Sequence, residues 1–224
     1  MPNNTNNKVD IAADLNRIHG AITRALEVMI EKSDQYQQHL PNLGVLRGFT
    51  MFVDCFITFI QGHHGAEDDI AFPYFKDKLP ETPYARLIKE HKEIVGILEK
   101  LDQANVKIKS SENVMEGLTE LQEQLVQLKQ IWYPHINSEE THLCSECICA
   151  VIPSEEQFKL AQKFGEYSQK HSKPSTLVLP FLLYNMNEQD RKIMSHSLPW
   201  MVTRLLVPII WKRHWYPMQP YLVK

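Results

Sequence analysis

Hydrophobic positions recur every three or four residues over four long stretches, the spacing of one face of an α-helix. The first stretch covers about 10–38, with Ile11, Leu15, Ile18, Ile22, Leu26 and Met29 in its stripe and His19 beside it. "LPNLG" breaks it at Pro41 and Gly44. The second covers about 45–70, where Phe49, Phe52, Phe56 and Ile60 lead to His63 and Glu67, and "PYFKDKLPETP" closes it. Thr82 as N-cap and Pro83 at the first helical position predict the start of the third. It runs through Leu87, His91, Ile94, Leu98 and Leu101 to the linker "NVKIKSSEN". Ser111 is the expected cap of the fourth, which carries Val114, Leu118, Leu121, Leu125, Leu128, Trp132, His135 and Glu139. Pro134 should kink or break that helix just before His135.

Four helices joined by short links predict an all-α, up-down-up-down four-helix bundle over residues 1–152. Beyond Pro153 the pattern changes. "SEEQFKLAQKFGEYSQKH" reads as a fifth helix capped by Ser154, followed by a Pro-punctuated apolar stretch with Trp200, Trp211, Trp215 and Tyr216. Residues 153–224 are therefore expected to be a helical C-terminal extension packed on the bundle, or a surface for a homodimer or another protein.

Composition narrows the function classes. A net charge of −3 with mixed signs gives no reason to expect nucleic-acid binding. The start "MPNNTNNKVD" lacks a basic-then-apolar leader pattern, and "LPWMVTRLLVPIIW" is too short and interrupted to span a bilayer. The expectation is a cytoplasmic protein without a membrane partner. In that compartment Cys144, Cys147 and Cys149 of "CSECIC" are expected as reduced thiols. A zinc site there would need outside partners such as His142.

The chemistry begins with "QGHHGAEDD". Two adjacent imidazoles at the end of an apolar segment need a reason to be there. His19 lies about 19 residues from the end of its helix and His63 about 19 from the start of the next. Each path is then roughly 28 Å at 1.5 Å per residue, so the two histidines meet at one level. A similar match holds between His63 and His91. His63–Glu67 and His135–Glu139 are spaced i,i+4, which stacks imidazole and carboxylate on one helix face. Side chains converging from facing helices build metal sites in bundles. Imidazole with carboxylate suits iron, manganese or zinc, and this many donors exceeds the need of one ion.

"RIHGAI", "HHGAE", "KEHKEI" and "YPHINSEE", in this order over about 10–152, resemble the hemerythrin-like family, the HHE cation-binding domain. The resemblance implies a four-helix bundle holding two iron ions, Fe2+ or Fe3+, joined by an oxo or hydroxo bridge and open to dioxygen. His19, His63, His91 and His135 match the family's histidines, and Glu67 and Glu139 match its bridging carboxylates. Leu87 stands where the oxygen carriers have another histidine, and Glu139 comes four after His135 where they place an aspartate five after. A eukaryotic iron-sensing branch, found in a ubiquitin-ligase subunit, shares the HxxxE pattern and uses the residue after the second histidine as a ligand, here His64. The resemblance then implies His19 and His63 on one iron and His64, His91 and His135 on the other, with Glu67 and Glu139 bridging. The alternative for His64 is a residue that lies beside the site without ligating, or on the surface.

So few carboxylates favour reversible binding of dioxygen over bond-breaking oxygenation. Binding of oxygen and iron for storage, transport or sensing is the expected role. The competing readings are a di-iron enzyme acting on peroxide, nitric oxide or an organic substrate, and an iron-dependent regulator that docks a partner through the C-terminal extension. Glu140 is an alternative ligand, "EDDI" a possible feed for iron, and Phe56, Ile60, Leu87, Ile94 and Trp132 candidate walls.

Overall fold

The computed structural model describes residues 9–223, and among these every regular element is helical. Helix α1 spans Ile11–Gln38, α2 Leu43–Ala66, α4 Tyr84–Ser110 and α5 Val114–His142. Helix α1 packs on α5, α5 on α4 and α4 on α2, and α2 closes the ring against α1. The all-α bundle expected from the periodicity is the fold found.

Local chemistry sets the ends. The Asp10 carboxylate accepts the Ala13 N–H at 3.0 Å and starts α1. Asn42 does the same for Val45 at 3.1 Å, so α2 begins two residues earlier than its apolar stripe suggests. After Ala66 the chain does not stop. It widens into a π-helical turn, Glu67–Ala71, and continues as the short α3, Phe72–Phe75, with Pro73 tolerated in the first turn. The whole stretch Leu43–Phe75 is apolar enough by composition to cross a bilayer, yet 61% of its most apolar window is buried by the rest of the chain.

Several sequence expectations are corrected here. Thr82 makes no cap for α4, which starts at Tyr84 without a side-chain cap. Most of "NVKIKSSEN" is not a linker but the last turns of α4. Asn105 donates to the Thr50 carbonyl at 3.0 Å and to Asp54 at 2.8 Å, and Ile108 is buried. Ser111 closes α4 in the left-handed region, φ 62°, instead of opening α5. Helix α5 runs through Pro134 unbroken. Proline removes one N–H, and the carbonyl it leaves without a helical partner belongs to Gln130, an exposed position. Ser154 opens α7 without a side-chain cap.

Beyond the bundle, α6 (Ser145–Val151) lies on α1 and α7 (Ser154–His171) on α2. Helix α8 (Ser175–Asn185) sits across α1 and α2. Helix α9 (Glu188–His196), a π-helical stretch (Val202–Ile210), α10 (Lys212–Trp215) and a 3-10 segment (Tyr216–Tyr221) follow. Phe181 packs against Phe52 with tilted rings, centroids 5.0 Å apart, and the Tyr221 hydroxyl donates to the Val45 carbonyl at 2.9 Å. Gly48 makes room for this seat, because the Pro217 carbonyl lies where any Cβ would stand. Val178, Phe181, Trp215, Met218, Tyr221 and Leu222 therefore join the main core of the bundle. Trp200 and Tyr216 remain exposed.

The cysteines also depart from expectation. Cys144 caps α6 and Cys147 sits in its first turn, with Cα atoms 5.1 Å apart, and the two form a disulfide. Only Cys55, which is buried, and Cys149, which is exposed, are free.

Candidate metal centre

Apolar packing divides the bundle into two clusters, and the functional layer lies between them. On α1, Leu15 belongs to the smaller cluster and Ile22 to the main core, with His19 between. Along α2 and the π-helical turn that follows it, Ile60 and Ala71 bracket His63, His64 and Glu67. On α4, Leu87 and Ile94 bracket His91, and on α5 Trp132 and Leu143 bracket His135 and Glu139. Each helix thus interrupts its apolar stripe at the same depth. All seven side chains are buried, each at most 8% exposed.

The structure brings all seven expected residues together. His19, His63 and Glu67 present atoms that lie within 4.8 Å of one another, as do His64, His91 and His135, and also Glu67, His91 and Glu139. His63 Nε2 is 3.3 Å and His19 Nε2 3.8 Å from Glu67 Oε1, whereas His91 Nε2 is 3.6 Å from Glu67 Oε2. Glu139 faces His19 at 3.3 Å through Oε2, and His135 at 3.5 Å and His91 at 3.6 Å through Oε1. Each carboxylate therefore turns one oxygen toward the His19 side and the other toward the His91 side. His64 stacks on His91, ring centroids 4.0 Å apart, and belongs to the cluster.

The donor atoms lack partners. His19 Nε2, His63 Nε2, both nitrogens of His64 and both oxygens of Glu67 and Glu139 are buried without a hydrogen bond. Burying such groups unpaired is costly, and a cation at the centre of the cluster would satisfy them together. In the metal-free chain their charges adjust. Burial and the repulsion of Glu139 push Glu67 up, to about 7. Burial also opposes a charged Glu139, but the His19 and His91 rings hold it well below the usual carboxylate range. Burial, then the charge of neighbouring imidazoles, keeps His63 and His64 well below the ordinary value, so they are neutral and free to ligate.

Sequence reasoning missed Glu90 and gave Glu140 and the acids of "EDDI" other roles than the one they have, as carboxylates behind the rings. Glu140 lies 3.0 Å from His19 Nδ1, Asp68 2.8 Å from His91 Nδ1 and Glu90 3.0 Å from His135 Nδ1. Each fixes the ring so that Nε2 points inward, and makes that nitrogen a better donor. Glu140 is thus a partner of His19 on its outer side, and Asp68 of "EDDI" is a partner of His91. Against burial, Asp68 and then Glu139 raise His91 to about 10. The available signal was adjacency, since each of these acids directly neighbours one of the seven residues in sequence. Among the expected walls, Phe56, Ile60, Leu87, Ile94 and Trp132 are all buried, and Trp132 lies edge-on to His19 at 5.9 Å. Phe72, an unexpected wall, stacks on His91 at 5.5 Å.

The family model of the hemerythrin HHE cation binding domain matches residues 10–147. The chain belongs to this family. The match spans all four bundle helices, and with the histidine and glutamate clusters it assigns the protein a metal-binding role. No curated protein and no solved structure matches the chain.

The outer carboxylates give a direct test of how the family's donor set is tuned in this chain. Asp68→Asn or Glu90→Gln is expected to weaken metal affinity about 10- to 100-fold, read by competition against a chromophoric chelator. Unchanged affinity in both variants would show that these carboxylates do not support the donors.

Proposed function

We propose that the chain holds two iron ions in this layer and that the pair takes up dioxygen. His19 and His63 would hold one ion, and His64, His91 and His135 the other, with Glu67 and Glu139 spanning both. The observation that carries this reading is the set of eight buried nitrogen and oxygen atoms on five of these residues that form no hydrogen bond. They belong to three donor groups linked through Glu67 and His91, which suits two ions better than one. Borderline donors of this kind suit iron, and the family membership favours it.

Two irons supply two-electron chemistry toward dioxygen; the chain orients the donors and keeps the layer dry. Its two histidines leave the His19–His63 side with the smaller donor set and hence more room for an external ligand. Trp132, whose indole N–H donates to Thr23 at 2.8 Å, fixes the wall there. The donors alone make a positive centre that favours the reduced state. Asp68, Glu90 and Glu140 place three further carboxylates behind the rings, which would shift the balance toward oxidised iron. Retention of iron in storage or sensing is therefore favoured over reversible oxygen carriage.

The test is to load ferrous iron under argon, admit oxygen, and follow its consumption together with the visible absorption. The expected result is one dioxygen consumed for each pair of irons and a band that persists after oxygen is removed. A band that vanishes on removal would restore the reading as an oxygen carrier, and absence of any oxygen uptake would contradict the proposal.

A further inference from the structure

The C-terminal extension has a charge pattern unlike the rest of the chain. Its final 34 residues, 191–224, contain six of the 24 Lys and Arg and none of the 27 Asp and Glu. The chain as a whole is acidic, with a net charge of −3, so the positive charge is segregated at this end. Arg191 lies over the Tyr184 ring at 5.4 Å, and Lys192 pairs with Glu188. Arg204, Lys212 and Arg213 form no ion pair among the described residues.

The same segment exposes large apolar side chains. Trp200 is 74% and Ile209 63% exposed, and Met201, Leu205 and Ile210 stand out with them. In the π-helical stretch, hydrogen bonds reach five residues back, so positions four and five apart share a side. Met201, Leu205, Ile209 and Ile210 follow that spacing. The opposite side is anchored: Val207 is buried and its carbonyl accepts the Trp215 indole N–H at 2.8 Å. Between α8, α9 and the π-helical stretch lies a cleft of about 650 Å³. Arg191, Lys192, His196 and Arg204 line it beside Trp200, and no carboxylate does.

We propose that this face docks on a membrane surface rich in anionic phospholipid, with the apolar side chains in the headgroup boundary and the basic side chains of the segment meeting the lipid phosphates. An apolar side flanked by Lys and Arg and carrying Trp is the pattern of a segment that lies in the interface plane. The basic charge complements anionic lipid and disfavours a second copy of the same face, because two such faces would repel. The expectation of no membrane partner rested on the lack of a spanning segment, and a surface contact needs none.

The experiment is sedimentation of the full chain with vesicles of phosphatidylcholine alone or with 30% phosphatidylserine. Binding to the phosphatidylserine vesicles and little to phosphatidylcholine is expected. The triple change R204E, K212E and R213E should weaken partitioning about 100-fold, at about 1 kcal/mol for each basic residue near the surface. Trp200→Ala with Ile209→Ala should also weaken it while leaving the net charge unchanged. Circular dichroism and metal content, unchanged in both variants, exclude unfolding as the cause. Equal binding to both vesicle types, no binding at all, or a concentration-dependent dimer or captured acidic protein in its place would overturn the proposal. Soluble phosphate that binds the protein without vesicle binding would overturn it too.

Discussion

Glu67→Gln is expected to remove at least one metal ion and to lower the melting temperature of the loaded protein by about 8–16 °C. Glu67 belongs to two of the three donor groups, and neither of its oxygens has another partner. A ligand present at 1,000 times its dissociation constant stabilises the folded state by about 4 kcal/mol. For a chain of this size each kcal/mol moves the melting temperature by about 2–4 °C. The metal-free protein should respond in the opposite sense. There Glu67 is held against burial and against Glu139, which is why its carboxyl is pushed up. A neutral isostere relieves that repulsion, so the metal-free melting temperature should hold or rise. His63→Ala should likewise lose metal. Calorimetry on loaded and metal-free forms, with metal analysis, separates the two effects. Unchanged metal content and melting temperature in both variants would sink the assignment of these residues as ligands.

Gly48→Ala should unseat the C-terminal segment and cost about 3 kcal/mol, the upper range for forcing an atom into a packed site. The new Cβ would stand 2.9 Å from the Pro217 carbonyl carbon and closer still to its oxygen, and backbone cannot rotate away as a side chain can. The segment is held on both sides of Pro217. The Trp215 indole N–H donates to Val207, and the Tyr221 carbonyl accepts from Arg24 at 2.8 Å. Gly48 lies 15 residues before His63 on the same helix, roughly 22 Å away at 1.5 Å per residue. Metal stoichiometry should therefore stay as in the parent chain while the melting temperature falls by about 6–12 °C. An unchanged melting temperature would mean that the extension does not rest on α2 at this point.

The buried layer of histidines and carboxylates was legible because its information is local. His63–Glu67 and His135–Glu139 declare a shared helix face through spacing alone, and counting residues along α1, α2 and α4 places His19, His63 and His91 at one depth. The sequence leaves two readings for His64, since a residue directly after His63 points about 100° away on a regular helix. In the bundle that direction faces His91 and His135, so both neighbours reach the layer. Helix ends were read less well. Ser111 looked like an N-cap, but Ile108 and Asn105 bury the preceding turns and carry α4 on to Ser110. The role of the outer carboxylates is not legible in the sequence, because each serves a histidine on another helix. Asp68 meets His91 from the π-helical turn, a departure from regular periodicity that no apolar pattern encodes. The Cys144–Cys147 pair was read through compartment, whereas its geometry comes from a helix start that brings the two residues within one turn.

The most direct test of the central claim is an anaerobic titration of the metal-free chain with ferrous iron, with bound iron counted per chain. The account predicts saturation at two irons in the parent protein and at one or none in His63→Ala and Glu67→Gln. Saturation of the parent chain at one iron, or two irons retained in both variants, would contradict it.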